Sequence, residues 1–574
     1  MNLLFLLLAA GESAHPKTME ANKTLLGPNV YVFDSGMPAQ EIQQKTTEIF
    51  KKMEANQFGP ERIALLFKPG SYKVALDVGF YTQIAGLGRN PDDVHIDGGT
   101  SVPANWMRNA NATCNFWRSF ENYSVTPSAN NGILQIAVSQ AAPLRRLHIK
   151  GDLQLYARTS NNTQGWASGG FLADSVVDGK ADSGSQQQWL SRNSRWSAWP
   201  AGNWNMVFVG CQNSPAGVFP QKPYTVVEKT PIIREKPYLY VDKKGFFCVF
   251  VPSLRRDSVG VSWEKGPTPG SSISLDKFYV VRPEMANALA INQALGQGKH
   301  ILFTPGIYHL DQTLRVTRAN TIVMGLGYAT LIPTQGQSAI SVDAAAGIKI
   351  ASLIIDAGPI KSPTLLEVGH GKSRRRHAAN PICLFDMTVR TGGATVGLND
   401  DSVRIDSNDV LVDHIWVWRA DHGKDVHWNT NPSKHGLVVN GDSVTVYGLF
   451  NEHHEEYQTI WNGENGRVYM YQSEIPYDVP NQEAWGPAGF ASYKVGNEVK
   501  RHEAWGLGVY CFFRDAAVKA TSAIETPSAP GVRFHNITTI WLTGKAGSEI
   551  SHIVNQTGGA ATTNARKQTL AEYP

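Results

Sequence analysis

The chain of 574 residues has little cysteine, little charge and no long apolar run. Its five cysteines, Cys114, Cys211, Cys248, Cys383 and Cys511, lie too far apart for a metal knuckle or a CxxC redox pair, and leave room for one or two disulfides with a thiol over. Charged residues make up 18%, and the net charge of +4 is weak and says little about acidic partners; no nucleic-acid partner is expected. The one basic run, Lys372 to Arg376 in GHGKSRRRH, has Leu366 where a phosphate-binding loop needs glycine and reads as a solvated loop. The apolar stretch in MNLLFLLLAAGESA is too short to span a bilayer. It reads, over residues 1–15, as the end of a secretory leader whose basic start is absent. Sequons at Asn22, Asn111, Asn122, Asn161, Asn536 and Asn555 fit a secreted glycoprotein.

What is present is a fold started twice. ALLFKPGSYKV around Pro69 is followed by IAGLG (Ile84 to Gly88), and HILFTPGIYHL around Pro305 by VMGLG (Val323 to Gly327). Each copy follows a helical pattern, Ile42, Thr46, Ile49, Phe50 and Met53 in the first and Ala288, Ile291, Ala294 and Leu295 in the second. Helix, strand, Pro-Gly turn, strand and Gly-Leu-Gly turn open a right-handed parallel β-helix, the helix covering the first coil's unpaired edge. The 53 glycines, 31 prolines and short β-branched runs agree. The expected fold is all-β: two tandem right-handed parallel β-helices, pectate-lyase-like solenoids with short N-terminal capping helices. The expected divisions are a first solenoid over 29–250, a connector over 251–280, a second solenoid over 281–562 and a loose tail over 563–574. The Ser/Asn/Trp-rich stretch from Ser183 to Trp204, poor in β-branched residues, is expected to be an insertion or loop.

Outward side chains on successive coils form a groove suited to an extended polymer, and the 15 tryptophans and 19 tyrosines suit sugar rings. Three strands of the second solenoid each run into an acid: HIWVWRAD at Asp421, VTVYGLFNE at Glu452 and VYMYQSE at Glu474. If they share a sheet, coils about 4.8 Å apart bring the carboxyls to about 5–7 Å on neighbouring coils. Paired carboxyls at such separations perform glycoside hydrolysis, one protonated to donate to the leaving oxygen and the other ionised. By spacing alone, turn formers or ion-pair partners are the commoner reading of such acids.

The segment NEHHEEYQTIWNGENGRVYMYQSEIPYDVPNQ, Asn451 to Gln482, resembles the signature of glycoside hydrolase family 55, the exo-acting β-1,3-glucanases or laminarinases, which are tandem β-helices. The motif is matched by Glu452–His453, Tyr457–Gln458, and then Gln472, Glu474, Pro476, Tyr477 and Pro480. The resemblance implies an inverting hydrolase with Glu474 as general acid and Glu452 as a second active-site carboxylate. Tyr457, Gln458 and Gln472 would line or support the groove, with Asp421 bordering it. Tyr477 and Trp485 would supply apolar surroundings that keep Glu474 protonated. Glu503 and Trp505, in RHEAWGLGVYCFF, would sit where the following coil borders the same groove. Glu455, Glu456 and WNGEN depart from the family pattern and leave the glucan linkage open. The implied enzyme is a secreted monomer acting on a β-glucan, without cofactor or metal.

Two other readings compete. A β-helical lyase or galacturonase is suggested by Gly369 to Gly371 (GHG) and by Asp400 and Asp401, but these come in reverse order and no Arg-x-Lys follows. A non-catalytic carbohydrate-binding solenoid would keep the groove and dispense with the acid.

Overall fold

The computed structural model describes residues 25–371 and 375–574. The leader, the Asn22 sequon and residues 372–374 of the basic run lie outside the described residues. The chain is nearly all β, and its long sheets are parallel.

The duplicated openings fold alike. Helix α1 (Ala39–Met53) buries Ile42, Thr46, Ile49 and Met53, and α2 (Ala288–Gly296) buries Ala288, Ile291, Ala294 and Leu295. Behind them, Leu65 pairs with Ile84 and Ile301 pairs with Val323, so both Gly-Leu-Gly turns leave the second strand at the same place. From these starts grow a 12-stranded sheet in the N-terminal half and a 14-stranded sheet in the C-terminal half. The latter is flanked by an eight-stranded parallel sheet. Between the halves the chain makes small antiparallel sheets, Thr230–Arg234 with Leu254–Ser258, and Tyr238–Val241 with Phe247–Pro252 and Gly270–Ser274.

The C-terminal sheet carries, as consecutive neighbours, β1 (Val410–Arg419), β2 (Thr445–Glu452), β3 (Gly466–Glu474), β4 (Arg501–Phe513), β5 (Gly531–Gly544) and β6 (Lys567–Tyr573). One left-handed residue recurs at a matching place on five of these coils: His414, Gly448, Met470, Gly506 and Asn536, with φ from 57° to 70°. Each shifts the phase of inward and outward residues. Before it Val410 and Val412 point into the solenoid, and after it Ile415 and Val417 do, so Asp413, Trp416 and Trp418 face the other half. At Gly448 an added Cβ would also meet the Phe171 ring at 3.2 Å, so glycine serves both the backbone and the close approach.

Four expectations are corrected. Ser183–Trp204 contains the strand Gln188–Arg192, fully buried in the N-terminal sheet, because Trp189 and Leu190 serve the core as β-branched residues would. The C-terminal residues are not loose: β6 pairs antiparallel with β5 and covers the edge of the last long strand. All five cysteines are free thiols. Asn122 is fully buried and its amide donates to the Gly86 and Gly88 carbonyls, so this sequon is closed to a glycan in the folded protein.

Candidate active site

The outward aromatic phase of β1 and the acid-ending strands meet the N-terminal half at a cleft of about 1090 Å³. One wall carries Trp416, Trp418, Asp421, Glu452, His453, Glu474 and Tyr477. The facing wall comes from the N-terminal half and includes Phe116, Gln140, Ser168 and Trp204, with the segments around Gly184 and Gly202. The segment around Ser183–Trp204 therefore forms part of the cleft as well as part of the sheet.

Glu452 ends β2 as the neighbour of Trp418 on β1, and Glu474 ends β3, its carbonyl accepting from the His453 N–H at 2.8 Å. Adjacent strands in one sheet thus place the two carboxyls on adjacent coils. Glu452 is buried, with Oε2 accepting from Trp416 Nε1 at 2.8 Å and Oε1 from Gln140 Nε2 at 3.1 Å. The Gln140 carbonyl oxygen in turn accepts from Ser168 Oγ at 3.1 Å. Glu474 accepts the Tyr477 hydroxyl, and His453 Nε2 lies 3.8 Å from both Glu474 Oε2 and Asp421 Oδ1.

Burial pushes both glutamates up. Glu452 is raised to about 8, chiefly by desolvation, against the two N–H donors that favour its charged form and with Asp421 adding repulsion. Glu474 is raised well above the ordinary range by burial, then by the charges of Glu452 and Asp421. Two N–H groups hold Glu452 and a single hydroxyl holds Glu474, so a proton shared by the pair resides on Glu474. Asp421 goes the other way: burial opposes its charge, but His453 and the hydrogen-bonded His422, 2.8 Å away, hold it ionised. His422 is raised to about 10 by Asp421 against the cost of burial, and Gln57 of the N-terminal half meets its other nitrogen at 2.6 Å. Burial lowers His453 to about 4. A shared proton on one buried carboxyl beside a second carboxyl held by N–H donors is what acid-assisted bond cleavage by water needs.

The structure brings Glu474, Glu452, Asp421 and Tyr477 together and sets the other sequence-predicted residues apart. Trp485 is fully buried, with Nε1 donating to the Glu455 carbonyl and its ring against Phe513. Tyr457 points to Lys494 and Glu525 on the flanking sheet. Gln458 closes its own turn through His454. Gln472 is buried and donates to the Ser168 carbonyl, joining the two halves. Glu503 pairs with His535, and Trp505 stacks on Tyr469 and His535, outside the cleft. In each case the side chain already has a protein partner that sequence order does not reveal. Sequence reasoning missed Gln140, Ser168 and Trp204, which lie more than two hundred residues ahead of the motif. It also passed over Trp416 and Trp418, although their alternation within HIWVWRAD was a readable signal for a second packed face.

The LAM55 pectate lyase-like domain matches residues 278–474, ending on Glu474 itself. An exo-β-1,3-glucanase of Streptomyces sp. (strain SirexAA-E / ActE) is 48% identical over 538 residues, 93% of this chain and 87% of its own. The solved structure of sacteLam55A from Streptomyces sp. SirexAA-E superposes with a TM-score of 0.92 at 46% identity, covering 96% of this chain and 99% of that one. A glutamate-to-alanine variant of the same protein, solved in complex with glucose, superposes with a TM-score of 0.91, covering 96% and 98%. With its β-helical sheets, its motif and relatives matched over nearly their whole length, the chain belongs to glycoside hydrolase family 55.

Proposed function

We propose that this protein is a secreted, monomeric, inverting exo-β-1,3-glucanase with Glu474 as its general acid. The observation that carries the reading is the buried Glu474, pushed upward by that burial, beside Glu452 in a cleft walled by both halves. The name of the Streptomyces relative and the glucose complex of its glutamate variant support a β-glucan substrate.

In this reading Glu474 gives its proton to the glycosidic oxygen as the bond from that oxygen to the anomeric carbon breaks. A water held along Ser168, Gln140 and Glu452 attacks the same carbon from the other face, and its proton passes to Glu452. The extra proton then returns to Glu474 and resets the pair. Trp166 and Trp204, which line the cleft and keep part of their surface exposed, offer faces for sugar rings, on a floor of packed Trp416, Trp418 and Phe116. The segments around Gly184 and Gly202 are the natural block at one end of the cleft, which exo action requires. The apolar segment within residues 1–15 speaks for secretion, which the intact mass of the exported protein checks.

The test is hydrolysis of laminarin followed by reducing-sugar release and by NMR of the first-formed anomer. The wild type should release α-glucose, and Glu474→Gln should lose kcat by about 10³-fold or more. Release of β-glucose, or a variant of undiminished activity, would overturn the mechanism.

A further inference from the structure

Where the C-terminal half begins, a second cavity of about 400 Å³ lies between the connector's antiparallel strands and the start of the long sheet. Arg234 closes the strand Thr230–Arg234, and Lys349 opens Lys349–Ala351. Alternation sends Ile348 and Ile350 into the solenoid core and turns Lys349 toward the connector. Both cations line the cavity and both are buried, Arg234 8% and Lys349 3% exposed. Among the described residues neither has a carboxylate partner, and no acid lines the cavity.

The donors are largely unused. Arg234 Nε is buried without a hydrogen-bond partner, and Lys349 Nζ spends one of its three N–H groups on the Gly347 carbonyl. Ser253, Ser271, Asn320 and Asn380 contribute uncharged polar groups around them. Two like charges held in one buried pocket are costly unless an anion meets them. Elsewhere the buried Arg145, Arg192, Arg390 and Arg419 each have a carboxylate within 3 Å, and the buried Arg62 and Arg118, which have none, spend their N–H groups on hydroxyl and carbonyl oxygens. Burial, with Arg234 adding repulsion, lowers Lys349 to about 8, and a bound anion would reverse this.

We propose that this cavity is a binding site for a tetrahedral oxyanion of the phosphate or sulfate class, clasped by the fork of Arg234 and the point charge of Lys349. The planar guanidinium suits two oxygens of such an ion and the ammonium a third. Occupied, the site would bridge the connector to the C-terminal sheet and stabilise the folded chain by mass action. It lies apart from the cleft, so occupancy should leave catalysis untouched.

The test is equilibrium dialysis of the full chain with radiolabelled inorganic phosphate, with ionic strength held constant by potassium chloride. The wild type should bind one phosphate per chain, displaced by sulfate, and Arg234→Gln with Lys349→Met should weaken binding by about tenfold or more. Laminarin hydrolysis within about twofold of wild type certifies the fold of the double variant. Should that variant fail to fold, Lys349→Met alone, which only removes a buried charge, takes its place. Thermal unfolding gives a second readout: phosphate should raise the wild-type Tm above chloride of equal ionic strength, and less so in Lys349→Met. No saturable binding by the wild type, or binding and Tm shifts unchanged by the substitutions, would overturn the proposal.

Discussion

Two groups of buried carboxyls occupy the same interface between the halves and are driven in opposite directions. In one, Asp413 and Asp386 meet Arg145, Arg192 meets both Asp413 and Glu235, and Lys236 lies between Glu121 and Asp386. Burial there opposes charge, but the cations overcome it: Asp386 falls far below the usual carboxylate range, and Glu235 falls to about 2. In the other, Glu452 and Glu474 find an indole, an amide, a hydroxyl and each other, and both rise. Burial is common to both. Between these two groups, the several cations around the first make its acids a clamp, and their absence around the second leaves a proton reservoir.

Removing a cation from the clamp should have the largest effect. Arg192→Met leaves Asp413 and Glu235 short of a partner in the interior and should cost about 3–5 kcal/mol of stability, measured by denaturant unfolding. Removing an acid from the reservoir comes next. Glu452→Gln takes away both a hydrogen-bonded carboxylate and the charge that helps raise Glu474, so kcat should fall about 10²-fold and the alkaline limb of kcat/KM should move to lower pH.

The same contrast has a stability signature. The pair Glu452 and Glu474, holding its shared proton up to about 8 against an ordinary 4.5, contributes fully below 4.5, and that contribution is lost as pH rises through about 8. Glu235, folded at about 2, contributes above 4.5 and loses its contribution as pH falls through about 2. Unfolding free energies of Glu452→Gln should therefore decline less than wild type between those two higher values. A smaller change, Trp416→Phe, deletes one donor to Glu452; it should raise that residue's pKa further and cost about tenfold in kcat/KM. Smallest of all, Tyr457→Phe should leave kcat and KM within about twofold, because its hydroxyl serves Lys494 and Glu525 outside the cleft.

The clamp and the reservoir also differed in how far the sequence announced them. The repeated openings and the three acid-ending strands were legible, since the period-2 pattern and the turns are local properties. The pair Glu452 and Glu474 followed from strands that are consecutive in the chain and neighbours in the sheet. Gln140 and Ser168 were not legible, because they join the site through a contact between halves that no local pattern encodes. The same holds for Arg145 and Arg192, which meet acids more than two hundred residues away. Trp485 and Trp505 misled because an aromatic near a motif looks the same whether it fills a core or receives a ligand.

The most direct test of Glu474 as a proton donor varies the leaving group. Kinetics of Glu474→Gln should be compared on laminarin and on an aryl β-glucoside whose phenolate leaves without help. With Glu474 as proton donor, the loss in kcat/KM should be about 10³-fold or more on laminarin and less than about tenfold on the activated glycoside. Equal losses on both would contradict it and make Glu474 a residue that positions the sugar.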